Sequence, residues 1–148
     1  MADEKLFTKL GTPLAALEDA VTDRLDDAEV LIQCGRHSSA IAMGLYALEI
    51  TLKIAIRCRL NLGALPVEFQ VHDFDGLLVL SGLSNRLGRA AYSAIKKNWD
   101  LLLKDYGSAQ VNSLRYERGN FSDQQARDVL RRLRDPVEGI LPWVLAQT

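Results

Sequence analysis

An all-α bundle is the fold class this sequence predicts, and three observations predict it. Apolar residues recur at steps of three and four along most of the chain, helix stop and start signals punctuate them, and no stretch alternates as a strand would. The 148 residues suit one domain, spanning 1–148 with 1–11 as a flexible N-terminal segment. A chain of this size buries roughly 70% of the surface its unfolded form exposes, so it needs no disulfide or metal to hold it together. With no linker and no internal repeat, the expectation is a single-domain, up-and-down bundle of about five main helices.

Thr12 can cap the first helix, and Pro13 suits its first position. Leu14, Leu17, Val21, Leu25, Ala28 and Ile32 give that helix one apolar face. Cys34-Gly35 stops it, because Gly35 can take the left-handed conformation that closes a helix end. The next helix begins near His37 or Ser38, so the two should form an antiparallel hairpin. This second helix, about Ser39 to Leu62, carries the apolar run Ala40 to Leu48 and is expected at the centre. A membrane span would also be apolar. This run, however, soon meets Glu49, Lys53 and Arg57, and charges near the middle of a span are costly, so no membrane is expected. Small residues at Ala40, Gly44, Ala47 and Ala55 would let helices approach closely, within the domain or across a dimer.

Gly63 and Pro66 turn the chain towards His72-Asp73-Phe74, where a short helix carrying Phe74, Leu77, Leu78 and Leu80 begins. Asp73 is a natural cap, since its carboxylate accepts backbone N–H bonds and favours the positive end of the helix dipole. Ser84 opens the next stretch, with Leu87, Ala91, Ile95, Trp99, Leu102 and Leu103 as its apolar face and Tyr106-Gly107 as its end. A polar connection, Val111 to Phe121, leads to Ser122, which with Gln125 makes a capping box. Ala126, Val129, Leu130 and Leu133 then face the core, while Asp123 with Arg127 and Asp128 with Arg132 are favourable pairs. Asp135-Pro136 kinks or restarts the helix, and Leu141, Trp143 and Val144 dock the C-terminal stretch.

A formal net charge of -1 argues against a protein that simply coats nucleic acid. The balance hides an asymmetry: Asp19, Asp23, Asp26, Asp27 and Glu29 crowd the first helix, and Arg115, Arg118, Arg127, Arg131, Arg132 and Arg134 crowd the last third. Such surfaces could steer a partner or a second copy, or be ordinary solvated faces. Cys34 and Cys58 have neither CxxC spacing nor a Cys/His cluster, so they are expected as buried thiols in a reducing compartment, with no metal and no cofactor. Met1 to Leu10 is charged and lacks the apolar core of a signal peptide, which points to the cytoplasm.

Glu49 and Lys53 stand four residues apart on a mostly apolar helix, in the order that favours an ion pair. Exposed, the pair is worth a few tenths of a kcal/mol. Buried, desolvation costs several kcal/mol per ion and further partners are required. A pair at the core edge reaching solvent and a functional site both fit.

Taken in order, the acidic first helix ending near Gly35-Arg36-His37, the run Ala47-Leu48-Glu49-Ile50-Thr51-Leu52-Lys53, the His72-Asp73-Phe74 helix start and Arg115-Tyr116 before the last helix resemble the HEPN superfamily of small bacterial proteins. Many members of that superfamily are metal-independent RNases of toxin-antitoxin and phage-defence systems, which use an R-x4-6-H motif across a two-fold dimer cleft. This chain departs from the motif, since His37 and His72 are its only histidines and neither follows an arginine at that interval. Metal-free RNA cleavage needs one group to take the 2'-hydroxyl proton and another to protonate the leaving oxygen, and His suits both at neutral pH. Glu49 could act as base and Arg115 could stabilise phosphate charge, but no general acid is evident.

The resemblance therefore implies a non-catalytic, homodimeric domain that binds a nucleotide or RNA. The alternative it implies is an interaction subunit for a nucleotidyltransferase-like partner, and the second alternative a diverged RNase. The implied ligand-binding residues are Glu49, Lys53, Asp73, Arg115 and Tyr116, with His37, His72 and Arg118 secondary. Basic groups would meet phosphates, the tyrosine would stack on a base, and the carboxylates would orient the basic groups or bind ribose hydroxyls. Arg115 and Tyr116 could instead lock their loop onto the bundle, Arg115 pairing with Glu49 or Asp73. Walker-type loops, glycine-rich dinucleotide turns and nucleophile elbows are absent, which gives other enzyme classes little support.

Overall fold

The turn Cys34-Gly35-Arg36 sets the arrangement of the first two helices. The computed structural model describes residues 13–62, 72–107, 114 and 121–148. In it, α1 (Leu14–Gln33) ends on Gly35 at φ 73°, and the N–H groups of Gly35 and Arg36 donate to the carbonyls of Ile32 and Leu31. That double closure satisfies the last carbonyls of α1 and reverses the chain into α2 (His37–Leu60), the most extensive helix pair in the structure. The expected cap lies one position further on. Pro13 is itself the extended cap residue, its carbonyl accepting from Leu17 N–H at 3.1 Å, so Leu14 is the first helical residue, while Thr12 lies outside the described residues.

The remaining elements are α3 (Phe74–Leu80), α4 (Ser84–Leu87), a 3-10 turn (Ala90–Tyr92), α5 (Ser93–Tyr106), α6 (Asp123–Arg134) and α7 (Ile140–Ala146). No strand occurs among the described residues, and the fold is an all-α bundle around one hydrophobic core. As its apolar run demands, α2 is central, packing against α1, α3, α6 and α7. By length and composition it is the one helix among the described residues that could span a membrane, yet 72% of its most apolar stretch is buried inside the bundle. Its small residues serve that packing. A Cβ at Gly44 would stand 3.1 Å from a Leu133 methyl and 3.2 Å from one of Leu130, so α6 lies directly against the α2 backbone there. Ala40, Ala47 and Ala55 are likewise buried within the chain.

Two expectations about the surface are corrected. Both thiols are exposed: Cys34 is the cap residue in the α1–α2 turn, and Cys58 falls in the last turn of α2, beyond its buried stretch. The stretch from Ser84 to Tyr106 is not one helix either. Gly88, a weak helix former, and Arg89, extended at ψ 145°, separate α4 from the 3-10 turn, and Ala91 is exposed instead of facing the core. The break brings Tyr92 edge-on to Trp143, with ring centroids 5.4 Å apart, while Leu87, Ile95, Trp99 and Leu102 remain buried.

The capping box opens α6 as expected, with Gln125 N–H donating to Ser122 Oγ at 3.1 Å and Ser122 N–H to Gln125 Oε1 at 2.8 Å. Arg127 pairs with Asp123 at 2.7 Å, but Asp128 meets Arg131 at 3.8 Å and accepts from Gln124 at 2.9 Å. The expected partner, Arg132, is half-buried instead and lines a cavity with Tyr106 and Phe121. Asp135 ends α6 and opens the turn into α7, since its carboxylate accepts from Val137 and Glu138 N–H at 2.9 and 2.8 Å. Asn98 of α5 then holds the Glu138 carbonyl at 2.9 Å, and Ile140, Leu141, Trp143 and Val144 dock α7.

Candidate functional site

The middle of α2 places Glu49 and Lys53 one turn apart and on the same side, each only 8% exposed. Lys53 Nζ donates to Glu49 Oε1 at 2.8 Å. Two ions at this depth need more than each other, because each has left water. The further partner comes from the start of α3. His72, immediately before the α3 cap, brings its Nδ1 into hydrogen-bond contact with the same Oε1 of Glu49. One carboxylate oxygen therefore receives both a buried ammonium and an imidazole.

Burial differs sharply across the cluster. The His72 side chain is 71% exposed, whereas those of Glu49 and Lys53 are 10% exposed. A carboxylate only accepts, so Nδ1 carries the proton in the contact, and in the neutral ring Nε2 is then the acceptor. An oriented imidazole thus stands at the surface on a buried anionic support. Arg57, one further turn along α2, adds a cation only 2% exposed, whose Nη2 donates to the Leu62 carbonyl at 3.3 Å. In the sequence Arg57 reads only as an obstacle to a membrane span. The four-residue rhythm Glu49, Lys53, Arg57 is the signal that puts it on the same side of α2 as the pair.

The other candidates separate. Asp73 caps α3, accepting from Gly76 N–H at 2.9 Å, and is not joined to Glu49. His37 ties α2 to the approach to α6, with Nδ1 at 2.9 Å from the Phe121 carbonyl and Nε2 3.9 Å from Asp123. Arg115, Tyr116 and Arg118 lie outside the described residues, and with them the expected pairing of Arg115. No three His, Cys, Asp or Glu side chains converge among the described residues.

The acidic and basic parts of the chain meet within it. Arg134 of α6 contacts Glu29 of α1 at a surface cleft of about 470 Å³, also lined by Arg127 and Arg131, each beside an acid. The cavity at Tyr106, about 300 Å³, is different in kind. Burial, with Asp105 and Asp128 adding and Arg132 opposing, pushes the Tyr106 hydroxyl above its usual range, so it stays a phenol at neutral pH.

Compared with protein-family models, with curated proteins and with solved structures, the chain matches none.

Proposed function

We propose that this chain is a HEPN-like domain that binds a nucleotide or RNA without cutting it, with His72, Glu49 and Lys53 as the centre of the site. One observation carries the reading: a buried carboxylate fixes an exposed imidazole by Nδ1 and leaves Nε2 for a ligand. Protonated, Nε2 donates to a phosphate oxygen; neutral, it accepts from a sugar hydroxyl. Lys53 donates to the same carboxylate oxygen as the ring and adds a positive charge to the site. By the resemblance alone, Arg115 would add a phosphate contact, Tyr116 a stacking face and a second copy the other side of a cleft. A role in a bacterial toxin-antitoxin or phage-defence system rests on that resemblance too.

The test is retention of labelled nucleotides and a mixed RNA pool, without metal, by the wild type and by His72→Ala. A hydrogen bond to a charged group is worth about 1.5–3 kcal/mol, so affinity should fall roughly ten- to a hundredfold with the fold unchanged. Equal retention by the two proteins sinks the reading.

The same contact favours a second reading, a diverged metal-independent RNase, because an imidazole held by a carboxylate is the group that the R-x4-6-H motif would otherwise supply. Cleavage of the pool by the wild type and not by His72→Ala would select it. Neither cleavage nor retention would move the weight to a subunit that holds a nucleotidyltransferase-like partner.

A further inference from the structure

A groove of about 400 Å³ lies along the 3-10 turn and the first three turns of α5, and none of its lining residues belongs to the Glu49 cluster. Arg89, Lys96, Lys97 and Lys104 line it, against a single acid, Asp100, among the described residues. Lys96 is engaged with Asp100. Arg89, Lys97 and Lys104 are exposed and have no ion-pair partner among the described residues. Between the cations the floor is apolar, with Leu87 buried and Leu101 half-buried.

The helix sets the spacing. Lys97, Leu101 and Lys104 follow one another at steps of four and three, so they share one face and the two lysines are about 10 Å apart along the axis. Arg89 extends the row past the start of α5, because the break at Gly88-Arg89 turns the chain there instead of continuing the helix. On a protein with formal net charge -1, this concentration of uncompensated positive charge is local.

We propose that this groove takes the sugar-phosphate backbone of a single RNA strand, phosphates on Arg89, Lys97 and Lys104 and a base face against Leu101, which the buried Leu87 backs. The inference rests on the reading that the chain binds RNA, and extends it to a second contact surface. An RNA strand alternates charge with flat apolar faces, which matches cations flanking an apolar floor. An acidic peptide would match the charges and leave the floor uncovered.

The experiment is a salt titration of binding to a labelled single-stranded RNA, by the wild type and by Lys97→Ala/Lys104→Ala, alongside titration with a mononucleotide. Both lysines are exposed, and an unchanged thermal melt confirms the fold. Removing one lysine from a phosphate should lower the slope of log affinity against log salt by about 0.7, so the double variant should lose roughly 1.4 while its mononucleotide retention stays at the wild-type level. Strand binding with an unaltered slope in the double variant overturns the groove and leaves the Glu49–His72 reading standing. So does mononucleotide retention with no strand binding by the wild type. A glutamate-rich peptide bound as tightly as RNA of equal charge overturns it in favour of an acidic protein partner. Absence of both nucleotide and strand binding removes both readings. Strand binding with a reduced slope in the double variant, but unaffected by His72→Ala, supports the groove and removes the Glu49–His72 site.

Discussion

Glu49 accepts from Lys53 and His72 through one oxygen, and both its side chain and that of Lys53 are 10% exposed. Removing one partner of such a pair strands the other's charge in the core, at a cost of about 3–5 kcal/mol. Lys53→Met should therefore lower the free energy of urea unfolding by that amount. Glu49→Leu combined with Lys53→Met should recover most of it, because an apolar pair of similar volume needs no solvation. A Lys53→Met protein as stable as the wild type would show that the ammonium reaches water and that the pair is peripheral. The pair was legible in the sequence, since four residues on a helix always share a side. The His72 contact was not. It joins positions 23 apart through the segment between α2 and α3, and no local rule fixes where such a connection returns. The cap at Asp73 was legible for the opposite reason: a carboxylate bonding N–H three residues on is wholly local.

At the scale of elements, local chemistry again divides what could be read from what could not. Ser122 and Gln125 announce α6 by themselves, and Gly35 closes α1 by its backbone freedom. The break at Gly88-Arg89 escapes such reading, because the apolar spacing from Leu87 to Leu103 is compatible with a continuous helix. What the break gains is tertiary, the seat of Tyr92 on Trp143. The joint at Asp135 combines both kinds of signal and makes a pH prediction. N–H bonds from Glu138 and then Val137 hold its carboxyl below the usual range. A folded-state pKa depressed in this way contributes stability above the unfolded value, ordinarily about 3.9, and loses it as pH falls through the folded value. Thermal melts of the wild type and Asp135→Asn between pH 6 and pH 2 should therefore differ at the upper end and converge in acid. A gap that stays constant over this range would mean that the charge of Asp135 contributes nothing to the joint.

For the whole molecule, the class and the central helix were legible because they follow from periodicity and from the unbroken apolar run of α2. The partners of that run were less so: Ala40, Gly44, Ala47 and Ala55 fit an internal helix as well as a dimer face, and only the structure, with α6 against Gly44 and the three alanines buried, shows that they are covered by the chain itself. The same packing argues for the importance of α7, although it has only 7 residues. An isolated helix of that length is not stable in water, so α7 exists through its contacts with α2, α5 and α6. Ile140, Leu141, Trp143 and Val144 are between 0% and 6% exposed. At about 1.5–3 kcal/mol for each large apolar side chain, their burial amounts to roughly 6–12 kcal/mol as an upper figure. The whole stability of a domain is about 5–15 kcal/mol, so α7 is a large share of it, even after deducting about 1–3 kcal/mol for the buried Trp143 Nε1, which has no hydrogen-bond partner among the described residues. Truncation after Asp135 also uncovers the apolar faces that α7 shields on the central helix. The truncated chain should retain helical circular dichroism while losing its single cooperative thermal transition, and it should bind a hydrophobic dye. Trp143→Phe, which removes the orphaned N–H and keeps an aromatic ring, should unfold cooperatively near the wild-type temperature. A truncated chain with an equally sharp transition at that temperature would show that the core closes without α7, and that the burial of its four side chains adds little to the stability of the bundle.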